Sequence, residues 1–134
     1  MAVIFIDFRK AFDSVNHEVL SYKLQACGFY GNLLQWLTSY LGNSQQFVDL
    51  NGVKSKLQYV SYGVPRGSHL GLRLLSIYVN DFADNVSTGE LHLYADDTTA
   101  FVTGDTIDQV SQLLNVPLAD FCSWYELNRL TIHL

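Results

Sequence analysis

Short apolar runs alternate along this chain with longer stretches of helical spacing. The run over residues 2–8 is apolar apart from Asp7, which is the pattern of a strand covered on both faces of a sheet. Two further apolar runs, residues 91–93 and 98–102, flank Tyr94-Ala95-Asp96-Asp97. This arrangement predicts a hairpin with a pair of carboxylates at its bend.

Four stretches carry apolar residues at the i, i+3, i+4 and i+7 spacing of a helix that buries one face. The last of them contains Pro117, which predicts a kink or a division into two helices. The first helix is predicted to begin at Asp13, Ser14 or Asn16 and to close at Gly28. The second is predicted to end at Gly42-Asn43, and the third to follow Ser68. The fourth is predicted to begin at Thr106, with Gln109 completing a capping box.

A second hairpin is predicted around Asn51-Gly52, because both residues tolerate positive φ. Its second strand runs into Gly63-Val64-Pro65-Arg66-Gly67-Ser68, a glycine-rich turn that opens a helix. Such a turn can offer backbone N–H groups to an anion, and Gly67 would let a ligand approach the main chain closely. The alternative is a plain turn in which Ser68 caps the helix.

The order of the predicted elements is strand, helices, hairpin, helix, hairpin, helix and strand. The last strand is assigned to residues 130–134. This order predicts an α+β fold, an antiparallel sheet with its helices packed on one face.

Composition limits the chain to one packed domain of 134 residues, with 49% hydrophobic and 13% aromatic residues. Neither a membrane span nor a secretory leader is recognisable, so we expect an intracellular protein, with nucleus and cytoplasm both open. Cys27 and Cys122 lack metal-ligand spacing and are predicted to be buried, reduced thiols. The net charge of −5 argues against tight binding of nucleic acid by charge alone.

The Asp96-Asp97 pair brings two like charges together, and Mg²⁺ is the cation that such a pair best accommodates. The alternative is an ordinary aspartate-rich turn. Asp7, about 90 residues earlier, favours the metal site over the plain turn, because a carboxylate in an apolar strand is costly without a partner. If the two strands are neighbours, the three carboxylates converge and could hold two metal ions for an in-line phosphoryl displacement.

These carboxylates lie in motifs that resemble the central palm motifs of reverse transcriptases. The motifs are Phe5-Ile6-Asp7-Phe8-Arg9-Lys10-Ala11-Phe12-Asp13, Gly63-Val64-Pro65-Arg66-Gly67-Ser68 and Tyr94-Ala95-Asp96-Asp97. Three further segments resemble the branch found in non-long-terminal-repeat (LINE-type) retrotransposons: Ser39-Tyr40-Leu41, Ile77-Tyr78-Val79-Asn80-Asp81 and Trp124-Tyr125-Glu126-Leu127-Asn128-Arg129-Leu130. The resemblance covers essentially the whole chain.

The resemblance implies a ferredoxin-like (split βαβ) polymerase palm. Residues 1–134 would be a partial reverse transcriptase domain, truncated at both ends, without fingers and thumb. The implied function is that of an RNA-directed DNA polymerase fragment, which transfers a nucleotide from a dNTP to a primer 3′-hydroxyl by a two-metal mechanism. Its partners would be an RNA template, a DNA primer and the missing fingers and thumb, with no membrane. We expect the isolated chain to be inactive.

The resemblance also assigns roles to individual residues. It implies Mg²⁺, with Mn²⁺ as an alternative, held by Asp7, Asp96 and Asp97, which would be both metal ligands and catalytic residues, accompanied by Tyr94 and Ala95. Substrate-binding positions would be Phe8, whose backbone lies near the triphosphate, Phe12, which excludes a ribose 2′-hydroxyl, Arg66 and Gly67. The alternative for Phe12 is an ordinary packed side chain, and for Asp13 helix capping is favoured over catalysis.

Four positions depart from the family pattern. Arg66 stands where the family usually has glutamine, His69 and Arg73 replace aliphatic residues, and Leu72 replaces proline. These departures leave a second hypothesis open. The chain could be a non-catalytic retroelement remnant or a module that binds nucleic acid or protein.

Overall fold

A computed structural model describes residues 1–8, 10–87, 90–94 and 97–130 of the chain. Helices and short antiparallel strands alternate within this part, which confirms the predicted α+β class. The elements are β1 (Ala2–Asp7), α1 (Ala11–Ser14), α2 (His17–Ala26), α3 (Gly31–Gly42), β2 (Gln45–Gln46), β3 (Asp49–Leu50), β4 (Val53–Lys54), β5 (Gln58–Tyr59), α4 (His69–Val79), a 3-10 helix (Asn80–Asn85), β6 (Glu90–Tyr94), β7 (Asp97–Val102) and α5 (Ile107–Leu127).

The main sheet has three strands in the order β1-β7-β6, and all of its pairs are antiparallel. The central strand is therefore the second strand of the predicted hairpin, and the first strand of the chain lies directly beside it. Strand β2 pairs with β5 and β3 with β4 in two smaller sheets. Asn51 and Gly52 adopt φ values of 53° and 84°, so the predicted turn between β3 and β4 is confirmed.

Only one face of strand β1 is covered in the described part of the chain. Ile6 is buried and shares the hydrophobic core with Ala100 of β7 and Phe121 of α5. Phe5 points to the opposite face because side chains alternate along a strand, and it is 81% exposed. The prediction of a strand covered on both faces is therefore wrong at this position.

Local capping signals set the helix boundaries. Asn16, one of three predicted candidates, caps α2 by accepting hydrogen bonds from the backbone N–H groups of Glu18 and Val19 at 3.1 Å each. The helix closes at Gly28, whose φ of 91° places it in the left-handed conformation typical of this position. Asp13 lies in α1, a separate short helix.

The two later helices also begin where predicted. The Ser68 hydroxyl accepts from the Gly71 backbone N–H at 2.9 Å, and the Thr106 hydroxyl accepts from that of Gln109 at 3.3 Å. Helix α5 continues through Pro117 as one helix, so the predicted division is wrong. Proline removes one backbone hydrogen bond, but the buried side chains after it, among them Phe121, keep the second half packed.

The prediction that both cysteines are buried is wrong. Cys27 and Cys122 are both exposed, because Cys27 caps the end of α2 and Cys122 follows the buried Phe121 on the outer side of α5. The strand predicted at residues 130–134 lies outside the described residues from position 131 onward. Among the described residues, no helix has the length and apolar character needed to cross a membrane.

Candidate active site

The site begins with two aspartates that face each other across neighbouring strands. Asp7 is the last residue of β1, Asp97 is the first residue of β7, and the two are direct partners in the antiparallel register. Directly opposed residues on such strands have Cβ atoms about 4.5–5.5 Å apart. Both aspartates are exposed, so a ligand can reach their carboxylates.

The bend of the hairpin is only partly described. Tyr94 ends β6 and pairs through its backbone with Asp97, whereas Ala95 and Asp96 lie outside the described residues. The metal-ligand role of Asp96 therefore stays a prediction. Within the described residues, no group of three or more His, Cys, Asp or Glu side chains is placed to hold a metal ion.

Phe8 and Phe12 flank the short segment that follows Asp7. Phe8 is only 3% exposed, and its ring packs against those of Tyr125 and Trp124 at centroid distances of 5.3 and 6.1 Å. Any substrate contact of Phe8 must therefore use its backbone. Phe12 is partly buried against the same core. This burial is what the alternative interpretation of Phe12, an ordinary packed side chain, requires.

The glycine-rich loop is fixed to α1 by backbone hydrogen bonds. The N–H of Gly63 donates to the carbonyl of Val15, and that of Val64 donates to the carbonyl of Phe12, each at 2.7 Å. These hydrogen bonds fix the position of the loop relative to the segment that follows Asp7. Residue 63 must be glycine because its φ is 92° and a Cβ there would lie 2.9 Å from the Phe12 carbonyl oxygen.

The glycine-rich motif in the sequence indicated a special role for Gly67 but not for Gly63. A Cβ at Gly67 would meet no atom within 4 Å, so the positive φ of 75°, and not a lack of space, favours glycine at this position. His17 was also missed, and its Nε2–H donates to the Gly63 carbonyl at 2.7 Å. The close approach of Gly63 to Phe12 and the hydrogen bond of His17 to Gly63 have no signal in the sequence, because each joins residues more than forty positions apart.

Arg66 forms a two-point contact with Asp13. Its Nη2 donates to Oδ2 at 2.5 Å and its Nε to Oδ1 at 3.2 Å. Both residues line a cleft of ≈ 650 Å³ between the loop, the end of α3 and the strands β2 and β5. The other departures from the family pattern, His69, Leu72 and Arg73, are exposed on α4, where a polar side chain has no desolvation cost.

Known proteins match nearly the whole length of this chain. The family described as "Reverse transcriptase (RNA-dependent DNA polymerase)" matches residues 1–134. The RNA-directed DNA polymerase from mobile element jockey of Drosophila melanogaster is 31% identical over 129 residues, which cover 91% of this chain and 14% of that protein. The jockey polymerase of Drosophila funebris is 30% identical over 127 residues, which cover 90% of this chain and 14% of that protein.

The chain thus spans 14% of the length of the curated relatives that it matches. The family match covers every residue of the chain, including all three motifs on which the predicted resemblance rests. The resemblance to reverse transcriptases of non-long-terminal-repeat retrotransposons is thereby confirmed. The chain belongs to the reverse transcriptase (RNA-dependent DNA polymerase) family.

Proposed function

We propose that this chain is the catalytic palm segment of an RNA-directed DNA polymerase. The observation that carries the proposal is the direct pairing of Asp7 with Asp97, which brings together a carboxylate at the end of β1 and one at the start of the central strand β7. Ion pairing does not explain this arrangement, because neither aspartate has a cationic partner among the ion pairs of the described residues. Two accessible carboxylates at adjacent positions suit a divalent cation, which in turn would hold the phosphates of a substrate.

The reaction joins a primer 3′-hydroxyl to the α-phosphorus of a dNTP and releases pyrophosphate, opposite an RNA template. Asp7 and Asp97, with Asp96 as the third proposed ligand, would supply hard oxygen donors for Mg²⁺ or Mn²⁺. When bound, the metal supplies Lewis-acid stabilisation of the charge that develops during the displacement. The backbone of Phe8 and the loop residues Arg66 and Gly67 would hold the nucleotide, so that the protein contributes mainly positioning.

The order of elements supports the finer fold assignment. A strand, a helical segment, a hairpin whose second strand returns beside the first strand, and a further helix follow one another, as in a ferredoxin-like palm up to its last strand. The fingers and thumb would then belong to other parts of a longer polypeptide, and they would supply the contacts to primer and template.

A chimera tests the proposal. Residues 1–134 replace the matching segment of the Drosophila melanogaster jockey polymerase, and extension of a DNA primer on an RNA template is measured with Mg²⁺. We expect synthesis by the chimera and none by the isolated chain, whose net charge of −5 opposes binding of a polyanion. A folded chimera without activity would instead favour the non-catalytic remnant.

Phe12 offers a second test of the same proposal. In the chimera, Phe12→Val should increase the incorporation of ribonucleotides by about 10-fold or more relative to deoxynucleotides, because a smaller side chain leaves space for a 2′-hydroxyl. Phe29→Val is the matched control, since Phe29 is another phenylalanine that packs partly buried against the core. Equal sugar discrimination in both variants would make Phe12 a packing residue only.

A further inference from the structure

Two buried hydroxyl groups lie at the end of the core that is next to Asp7 and Asp97. The hydroxyl oxygens of Thr98 and Tyr125 have no hydrogen-bond partner among the described residues, and both residues are only 1% exposed. Thr98 follows Asp97 in β7. The Tyr125 ring packs against that of Phe8, the residue after Asp7, at a centroid distance of 5.3 Å. Each hydroxyl is therefore close to one residue of the carboxylate pair.

The hydroxyl of Tyr125 is unfavourable where it stands. Burying such a group without a hydrogen bond costs free energy, because the group gives up its bonds to water. Phenylalanine would fill the same space beside Phe8 without that cost. Packing thus explains the ring of Tyr125 but not its hydroxyl, and an unsatisfied buried group of this kind calls for a functional explanation.

Asp7 offers the acceptor that the Tyr125 hydroxyl lacks. In the described part of the chain, the Asp7 carboxylate has neither a hydrogen-bond partner nor an ion-pair partner. Asp7 is exposed and ends β1, which lies at the edge of the described sheet beside β7, so its side chain has room to turn. Burial raises the pKa of Tyr125 and the charge of Asp7 raises it further, which places the carboxylate within electrostatic reach of the hydroxyl.

Thr98 is less suited to such a contact. It lies in the central strand, where it pairs with Ile6 on one side and with Leu93 on the other. Its short side chain faces the core, opposite to that of Asp97, because side chains alternate along a strand. Tyr125 is therefore the residue whose hydroxyl can meet a carboxylate of the pair at the edge of the sheet.

We propose that Tyr125 is a positioning residue whose hydroxyl donates a hydrogen bond to the Asp7 carboxylate and holds it in the orientation that a divalent cation needs. One carboxylate oxygen would accept this bond, and the other would face the cation. Carboxylates that bind metals are usually hydrogen-bonded in turn, and loss of such a partner lowers metal affinity about 10- to 100-fold. The inference rests on the proposed function and deepens it, because it adds a residue of α5 to the site.

The test measures Mn²⁺ binding to the chimera by electron paramagnetic resonance without dNTP, which separates binding from activity. Tyr125→Phe should weaken Mn²⁺ binding about 10-fold. Tyr78→Phe is the matched control, because Tyr78 is an equally buried tyrosine whose hydroxyl already has partners, the Asn128 carbonyl and the Asn16 backbone N–H. This control should bind Mn²⁺ as wild type does.

The two variants should also differ in stability. In urea unfolding of the 134-residue chain, Tyr78→Phe should lower the midpoint, because it leaves a buried carbonyl without a partner. Tyr125→Phe should leave the midpoint unchanged or raise it. Unchanged Mn²⁺ affinity in Tyr125→Phe, or a midpoint lowered as far as in Tyr78→Phe, would overturn the inference. Asp7→Asn identifies a failure of the proposed function, since Mn²⁺ binding that does not depend on Asp7 would refute that function itself.

Discussion

Asp7→Asn is expected to lower primer extension by the chimera at least about 100- to 1,000-fold, the usual loss when one group that stabilises the transition state is removed. Asparagine keeps the size of the side chain but removes the negative charge that a divalent cation requires. Asp97→Asn should have the same effect, because Asp97 is the direct partner of Asp7 in the sheet register. The double variant should be little worse than either single variant, since the proposal has both carboxylates acting as one unit.

The fold should not change in these variants. Asp7 and Asp97 are exposed, and their replacement leaves no buried group without a partner. Asp84→Asn serves as the control, because Asp84 is an exposed aspartate in the 3-10 helix. We expect wild-type synthesis from this control and unchanged urea midpoints for all the variants. Synthesis within ten-fold of wild type by Asp7→Asn would contradict the assignment of this site.

The second large effect is expected in the core, around a buried lysine. Lys23 is 8% exposed, and its Nζ donates to Asp81 Oδ1 at 2.6 Å and to the Tyr78 carbonyl at 2.5 Å. Its ammonium group lies 4.8 Å from the centre of the Trp124 ring. Trp124 Nε1 also donates to Asp81 Oδ1, at 3.2 Å. Asp81 thus joins α2, the 3-10 helix and α5.

Asp81→Asn should reduce the free energy of unfolding by about 2–3 kcal/mol. Removing one partner of a fully buried pair costs about 3–5 kcal/mol, and the value is reduced here because the Asp81 side chain is 45% exposed. The asparagine can still accept a hydrogen bond, but the Lys23 charge loses its counter-charge. Urea unfolding of the 134-residue chain measures the loss, with Asp84→Asn as the neutral control from the same 3-10 helix.

The pH dependence gives an independent check. Burial lowers the pKa of Lys23 below its ordinary value, and the hydrogen bond and charge of Asp81 oppose that shift. The folded state therefore releases the Lys23 proton before the unfolded state does, and stability rises with pH between the folded and unfolded pKa values. Without Asp81 the folded pKa falls further, so the rise should begin at lower pH.

Burial raises the pKa of Tyr78, so the comparison should end near pH 9.5, before tyrosine ionisation affects stability in the opposite direction. A parallel pH profile for wild type and Asp81→Asn would show that Lys23 does not depend on Asp81.

Short-range signals in the sequence predicted much of the local structure. The caps at Asn16, Ser68 and Thr106 and the turn at Asn51-Gly52 depend on hydrogen bonds or φ values within a few residues, and all were confirmed. The strand β1, which ends at Asp7, lies within the apolar run over residues 2–8. The family itself could also be recognised from motifs that are contiguous in the sequence.

Apolar pattern alone could not decide which hydrophobic side chains are buried. Helical spacing places Trp36, Leu37 and Leu41 on one apolar stripe of α3. Trp36 is nevertheless 56% exposed, whereas Leu37 and Leu41 are buried. The charged Lys23, by contrast, is buried, with its ammonium group over the rings of Tyr78 and Trp124. Burial depends on which elements pack against a surface, and sequence period does not specify the partner.

The sequence by itself determined the local elements, the motifs and the family, because these depend on neighbouring residues. Only the tertiary structure placed Asp7 opposite Asp97, since strand register across ninety positions depends on how the whole sheet assembles. The tertiary structure also places Gly63 against α1 and Arg66 beside Asp13. These contacts form only when distant segments pack together. The proposed chemistry depends on these long-range placements, because a metal or a nucleotide contacts positions in space rather than in sequence.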